Sequence, residues 1–315
     1  MARLGSDKAA DLLRKLLKSR ESDEGFVAAE LVVEASSGKP DEDADRVYVL
    51  VITVEDRASF HFPEELRADG IDFLVRIEEG PPAKLLAPDQ SRLPVPPRGR
   101  ITGGDAIWNP NGGWGTMAFA TPTLTFVDHQ DVRQVVNNAV VSCNHILAML
   151  DLAQLNDQIV TFRKQVDLWL EYYWPVQDAA YSPVDIAVGQ SSNLTAFAQN
   201  EVRGLGQVRG VTAAVDRERV FKCGAATSIT TARDDGVGAI RMPYYKDRTV
   251  WLRKTTPDFA DVGDSGSAVL NSNRELIGFV VAGRQTAAGI VTYYLPTAPL
   301  NASPSADPLL RLSLS

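Results

Sequence analysis

The chain has 315 residues, 44% of them hydrophobic, which is enough to bury a substantial core in one large domain with an appendage or in two to three smaller ones. Its 40 acidic and 32 basic side chains leave a formal charge of −8, which argues against nucleic acid as a partner, because binders of phosphate backbones carry a basic face. The opening segment "MARLGSDKAADLLRKLLKSR" has no unbroken apolar run of signal-peptide type, and no later segment has the length to span a bilayer, so the expectation is a soluble cytoplasmic protein without a membrane partner. Cys143 and Cys223 make no disulfide framework and lack the neighbours of a metal cluster, which reads as reduced thiols with no metal and no cofactor.

From Ser6 to Ser19 the apolar residues Ala9, Leu12, Leu13, Leu16 and Leu17 recur at helical spacing, with Lys and Arg on the other face. This predicts a docking helix, or more plainly the core-facing helix of a small domain. "FVAAELVVEA" and "VYVLVITVED" read as strands of a hairpin, joined by the polar and acidic loop "SSGKPDEDADR". "FPEELRADGIDFLVRIEEG" then predicts a short helical turn and a third strand. A helix and a small α+β unit thus occupy residues 1–80, and the proline-studded "PPAKLLAPDQSRLPVPPRGR", which denies both helix and central strand, makes 81–100 a linker.

Beyond Arg100, short β-rich runs punctuated by Gly, Asn and Asp predict a mainly-β barrel or sandwich. Only Leu147 to Trp174 reads as helical or mixed, with "LWLEYYWP" as packing aromatics.

The stretch "DVGDSGSAVLNSNRELIGFVVAG", residues 261 to 283, carries the chemistry. A serine hydroxyl needs a base at its oxygen and donors aimed at the oxyanion that forms on attack. Gly263 and Gly266 allow a turn that aims the amides of Gly263 and Ser265 into one small hole, although "GDSG" is also an ordinary turn sequence. Three histidines are available as base. His61 reads as a surface or capping residue and His129 as a solvated hairpin residue, whereas His145 ends the apolar run "NAVVSCNHILAML".

"VVSCNHILA" resembles the histidine segment of trypsin-like peptidases with the chymotrypsin double β-barrel, especially their bacterial intracellular relatives. "SPVDIAVG" is similar to their aspartate segment, and "GDSGSAVLNSNRELIGFVVAG" to their serine segment with the strand lining the cleft. The order His145, Asp185, Ser265 is this family's order. The resemblance implies two antiparallel β-barrels over residues 101–315, preceded by the small N-terminal α+β domain. It implies Ser265 as nucleophile, His145 as general base and acid, Asp185 as the acceptor orienting the imidazole, and Gly263 and Ser265 as oxyanion donors. Asp178 competes for the acid's role, but the apolar "IAV" after Asp185 anchors that residue at a strand edge.

In these peptidases the base of the primary pocket lies six residues before the nucleophile, at Phe259 here, so a preference for Lys or Arg is not implied. Asp261 stays within reach of a basic side chain, leaving the pocket apolar or mixed. Val281, Ala282 and Gly283 are expected to pair with substrate backbone by strand addition. "PRGRITGGDA" resembles a zymogen activation sequence, in which cleavage after Arg100 frees an Ile101 amine to pair with Asp264; the plainer reading is that the first barrel simply begins there. The function expected is a serine endopeptidase acting on a protein or peptide substrate by limited proteolysis, with the N-terminal unit docking a partner. The rival is a catalytically silent member of the fold used for binding.

Overall fold

The computed structural model describes residues 6–17, 26–35, 46–58, 60, 62–63, 65–68, 71–86, 99–162, 166–302 and 310–314. His61 lies outside these residues. The N-terminal unit contains helix α1 (Ser6–Leu17) and strands β1 (Phe26–Ala35), β2 (Arg46–Val54), β3 (Glu65–Ala68) and β4 (Ile71–Glu79). β1 and β2 form the expected hairpin, with Leu31 opposite Leu50, while β4 lies parallel to β2 and antiparallel to β3. Residues 65–68 are therefore a strand where a helical turn was expected. A single helical turn carries a costly nucleus, and the edge of β4 offers these four residues a ready ladder instead. On α1, Leu12, Leu13 and Leu17 are buried, and exposed Lys15 pairs with Asp11 at 3.0 Å on the outer face. Within the segment expected as a plain linker, Lys84–Leu85 form a short strand, β5.

The first half of the remaining chain begins with β6 (Ile101–Gly103), β7 (Ala106–Trp108), β8 (Trp114–Thr116), β9 (Phe119–Val127) and β10 (Arg133–Ser142). After helix α2 (Asn144–Leu147) come β11 (Val160–Thr161), β12 (Leu168–Tyr173), β13 (Ala187–Ser191), β14 (Phe197–Val202) and β15 (Gly206–Gln207). β7 pairs with β8, which runs on through Met117 and Ala118 into β9; β9 pairs with β10, β10 with β13, and β13 with β12. A bridge from Trp169 on β12 to Gln158 leads into β11, which returns to β7 and closes the ring. The stretch Leu147 to Trp174, expected to be helical or mixed, thus begins where the single helical turn of α2 ends and, among its described residues, holds turns and the strands β11 and β12. In β12, Leu168 and Leu170 are buried and Trp169 and Glu171 less so, the period of two that a half-buried strand shows.

The second half contains β16 (Arg219–Gly224), β17 (Ser228–Met242), β18 (Arg248–Thr255), β19 (Ala268–Leu270), β20 (Leu276–Thr286) and β21 (Gly289–Pro299). β16 pairs with β17, β17 with β18, β18 with β21, β21 with β20, β20 with β19, and β19 back with β16. Counting β8 and β9 as one bent strand, both halves are six-stranded antiparallel barrels with the same order: first, second, third, sixth, fifth, fourth. Closing each sheet on itself leaves few free edges. A last strand, β22 (Leu310–Leu314), lies parallel to β21 and antiparallel to β9 and so ties the barrels together.

The N-terminal unit is built onto the second barrel. β1 pairs antiparallel with β17, Ala29 opposite Ala239, and one apolar cluster joins Leu13, Leu17, Phe26, Leu50 and Ile52 to Ala239 and the half-buried Trp251. Glu30 on β1 pairs with Lys254 of β18, and Arg284 of β20 donates to the Thr53 hydroxyl at 3.0 Å. Among the described residues no helix is long and apolar enough to cross a membrane. Leu50, fully buried in the shared cluster, is expected to cost about 2–5 kcal/mol when changed to Ala. Because the cluster spans both units, urea unfolding followed by tryptophan fluorescence and by circular dichroism should shift to lower denaturant together, as one transition.

Candidate active site

β10 ends at Ser142 and the chain turns into α2, which places His145 at the mouth of the first barrel. The turn is fixed by Asn144, whose side-chain amide donates to Asp151 at 2.6 Å and to the Trp174 carbonyl at 2.7 Å. Asp151 in turn accepts the backbone amides of Val176 and Gln177. Asp185 lies just before β13. Its Oδ1 accepts the His145 backbone amide at 2.9 Å, and its Oδ2 meets the His145 Nδ1 at 2.5 Å. The Tyr245 hydroxyl donates to the same Oδ2 at 2.5 Å, and burial, reinforced by the Asp185 charge, pushes that phenol well above its ordinary range, so it stays a donor. A carboxylate at Nδ1 fixes the proton there and leaves Nε2 with a free lone pair. Nε2 is buried and has no hydrogen-bond partner among the described residues.

Ser265 sits in the turn between β18 and β19 of the second barrel. Gly263 has φ +106° and Gly266 φ +91°, the left-handed region that favours glycine. The close approaches are as demanding as the angles: a Cβ on Gly263 would lie 2.4 Å from the Trp114 ring, and one on Gly266 2.2 Å from Ser142 Oγ. The Ser265 carbonyl accepts the Thr116 amide at 2.7 Å, and its hydroxyl donates to the Val281 carbonyl at 2.9 Å. Val281 is the extra residue of a bulge between the pairs Val280 with Tyr294 and Ala282 with Tyr293, which frees that carbonyl from the ladder.

Between the two glycines, Asp264 is fully buried. It pairs with Lys222 Nζ at 2.9 Å and accepts the Thr227 hydroxyl at 2.5 Å and the amides of Ala226, Thr227 and Asp261 at 3.0 to 3.2 Å. Burial pulls the Lys222 ammonium below its ordinary pKa, an effect the neighbouring Asp264 charge opposes. In the uncut chain the Ile101–Asp264 pairing of the zymogen expectation is not made. The cation beside Asp264 is Lys222, and Ile101 is instead buried in β6, opposite Phe197 of β14.

Of the expected pocket residues, Phe259 is fully buried in a cluster with Val220, Ala260, Val280 and Tyr294. Leu86 belongs to the same cluster. Asp261 is exposed; its carboxylate accepts the Val262 amide at 2.7 Å, and it is not part of that apolar group. The strand at Val281–Gly283 does pair with extended backbone, and the backbone is the chain's own: Ala282 lies opposite Leu85 and Gly283 opposite Lys84, antiparallel. The Gly263 amide, one of the two expected oxyanion donors, donates to the Leu86 carbonyl at 2.7 Å.

Asp178, the competing acid, is exposed, and its carboxylate accepts the Ala180 amide of its own turn. His129 is only partly solvated: its ring meets the Tyr172 hydroxyl at 2.6 Å and stacks edge-on with Tyr181. Donor atoms of Cys143, His145 and Asp185 lie within 4.8 Å of one another, a spacing a metal ion could use. The chemistry of the set opposes it. The Cys143 thiol, pushed well up by burial and by the Asp185 charge, stays protonated and donates to the Val280 carbonyl at 3.2 Å, while Asp185 already accepts His145 and Tyr245.

No protein-family model and no curated protein matches the chain. Among solved structures, the chain is similar to the Nocardiopsis protease NAPase (18% identity, 62% of this chain and 92% of that one, TM-score 0.43). It is also similar to the Cellulomonas bogoriensis chymotrypsin (19%, 62% and 91%, TM-score 0.44) and to Thermobifida fusca protease A (17%, 62% and 91%, TM-score 0.40). The strand order repeated in both halves makes the architecture a chymotrypsin-type double β-barrel with a small N-terminal α+β unit.

Changing Lys222 to Met strands the Asp264 charge in the core, and the expected loss is about 3–5 kcal/mol, read as a fall in the urea midpoint. Cys223, whose thiol burial drives up to about 11, and Cys143 are both expected to resist iodoacetamide in the native protein at pH 8 and to react within minutes in urea, as counted by intact mass.

Proposed function

We propose that the chain is a serine endopeptidase that cleaves through an acyl-enzyme. The observation that carries this reading is the buried His145–Asp185 pair at 2.5 Å with Nε2 left unpartnered. An imidazole held in that tautomer is a base waiting for a proton, and the turn bearing Ser265 packs against Ser142 and Cys143, two to three residues from His145 in sequence.

Ser265 leaves the Val281 carbonyl, gives its proton to His145 Nε2 and attacks the substrate carbonyl. Asp185 stabilises the imidazolium, and Tyr245 holds Asp185 in place by a third hydrogen bond. The Gly263 and Ser265 amides take up the charge on the tetrahedral oxygen. Collapse breaks the C–N bond as His145 protonates the leaving amine, and water then hydrolyses the acyl-enzyme by the same steps in reverse. Val281 to Gly283 align the substrate as an added strand, and the neutral wall of Phe259, Ala260 and Val280 selects an apolar side chain before the cut. The protein partner, the limited extent of proteolysis and a cytoplasmic setting belong to this proposal too.

Replacing Ser265 or His145 by Ala is expected to lower kcat on a peptide library by about 10⁵–10⁶-fold each, with no further loss in the double variant. A fluorophosphonate should label Ser265 in the unaltered chain or in Leu86→Asp, whose pocket is vacated. Labelling of neither protein identifies a silent binding member of the fold.

A further inference from the structure

The segment Ala83–Leu86 lies in the cleft in the manner of a bound peptide. Three independent contacts define its pose. Lys84 and Leu85 pair antiparallel with Gly283 and Ala282, in the direction and register an added substrate strand takes. The Leu86 side chain is buried among Val220, Phe259, Ala260 and Val280. Its carbonyl oxygen accepts the Gly263 amide at 2.7 Å, where the developing oxyanion needs a donor. A strand that merely covered the cleft could run in either direction and keep its carbonyls in the ladder. Here the chain direction, the buried apolar side chain and the carbonyl held by the Gly263 amide converge on Leu86.

We propose that this chain is its own substrate, cleaved in cis between Leu86 and Ala87; the inference rests on the peptidase reading above. The Ser265 Oγ bonds to the Leu86 carbonyl carbon, its proton passing to His145 Nε2. The Leu86–Ala87 C–N bond breaks, and the proton goes to the Ala87 nitrogen. Water then hydrolyses the Leu86 ester, leaving a Leu86 carboxylate and a free hydroxyl on Ser265. The products are residues 1–86 and 87–315.

The same contacts name the substrate class as chains with leucine or a similar large apolar residue before the cut. The pocket offers Leu86 no charge, because Lys222, 5.7 Å from the Phe259 ring, is committed to Asp264. Gly283 makes the room: a Cβ there would stand 3.1 Å from Leu86 Cδ2 and 2.9 Å from Ile290. The severed N-terminal piece remains attached, because β1 stays in the ladder of β17 and its core is shared with Ala239.

The test is intact mass and N-terminal sequencing of the purified full chain over time and at several concentrations. Expected are two fragments joined at Leu86–Ala87, formed at a first-order rate independent of concentration, co-eluting in native gel filtration and separating in urea. Ser265→Ala should remain whole. Leu86→Asp should slow the cut by at least about 100-fold while raising fluorophosphonate labelling of Ser265, and Leu86→Met should restore cleavage. An unaltered chain that stays whole while Leu86→Asp is labelled would overturn self-cleavage and leave the peptidase reading standing. A cut elsewhere, or a rate proportional to concentration, also overturns it. Absence of labelling and of peptide hydrolysis in both proteins removes the peptidase reading, and this proposal with it.

Discussion

The buried carboxylate of Asp264 shapes the site. The residue lies between two glycines in left-handed conformation, and a turn so built has no reason of its own to keep one geometry. Asp264 supplies the reason, by gathering the Lys222 ammonium, the Thr227 hydroxyl and amides from the 226–227 turn onto itself. The Gly263 amide is aimed, and Ser265 is placed beside the Val281 carbonyl, because the residue between them is pinned. Removing either charge of the buried pair leaves the other with hydrogen bonds but without solvent or a counter-charge, so the arrangement resists being opened.

The second requirement is a join between barrels. The Thr116 amide of the first barrel donates to the Ser265 carbonyl, while the Thr116 hydroxyl donates to the Gly263 carbonyl and accepts the Ala225 amide. One threonine thus knits the histidine-bearing barrel to the serine-bearing turn. Asp185, likewise in the first barrel, is held from the second by Tyr245. Thr116 and Tyr245 are thus polar groups that reach across between the halves and set the positions of the proposed reacting groups.

How much of this was readable in the sequence follows the range of each interaction. His145 and Ser265 stand in short motifs whose glycines and apolar flanks act locally, and Asp185 is marked by the strand that follows it. Tyr245 and Lys222 act on residues 60 and 42 positions away in sequence, and nothing next to them announces a partner, although a lysine inside the apolar run "RVFKCG" is a signal in hindsight. The hairpin of β1 and β2 was visible in its two β-type runs and the polar loop that joins them. The pairing of β1 with β17 was not, because a strand edge carries no record of which distant edge completes it. Leu147 to Trp174 read as helical because its apolar residues satisfy both periods over short spans, and closure of the first barrel selects the strand. Proline density argued against a long strand in 81–100, and among the described residues of that span two residues between prolines suffice to pair with Ala282 and Gly283.

The C-terminal strand β22 hydrogen-bonds to β21 on one side and β9 on the other, Leu312 lying opposite Phe126. Main-chain bonds therefore strap the two barrels together like a cleat, and a clamshell motion of one against the other would have to unzip that strap.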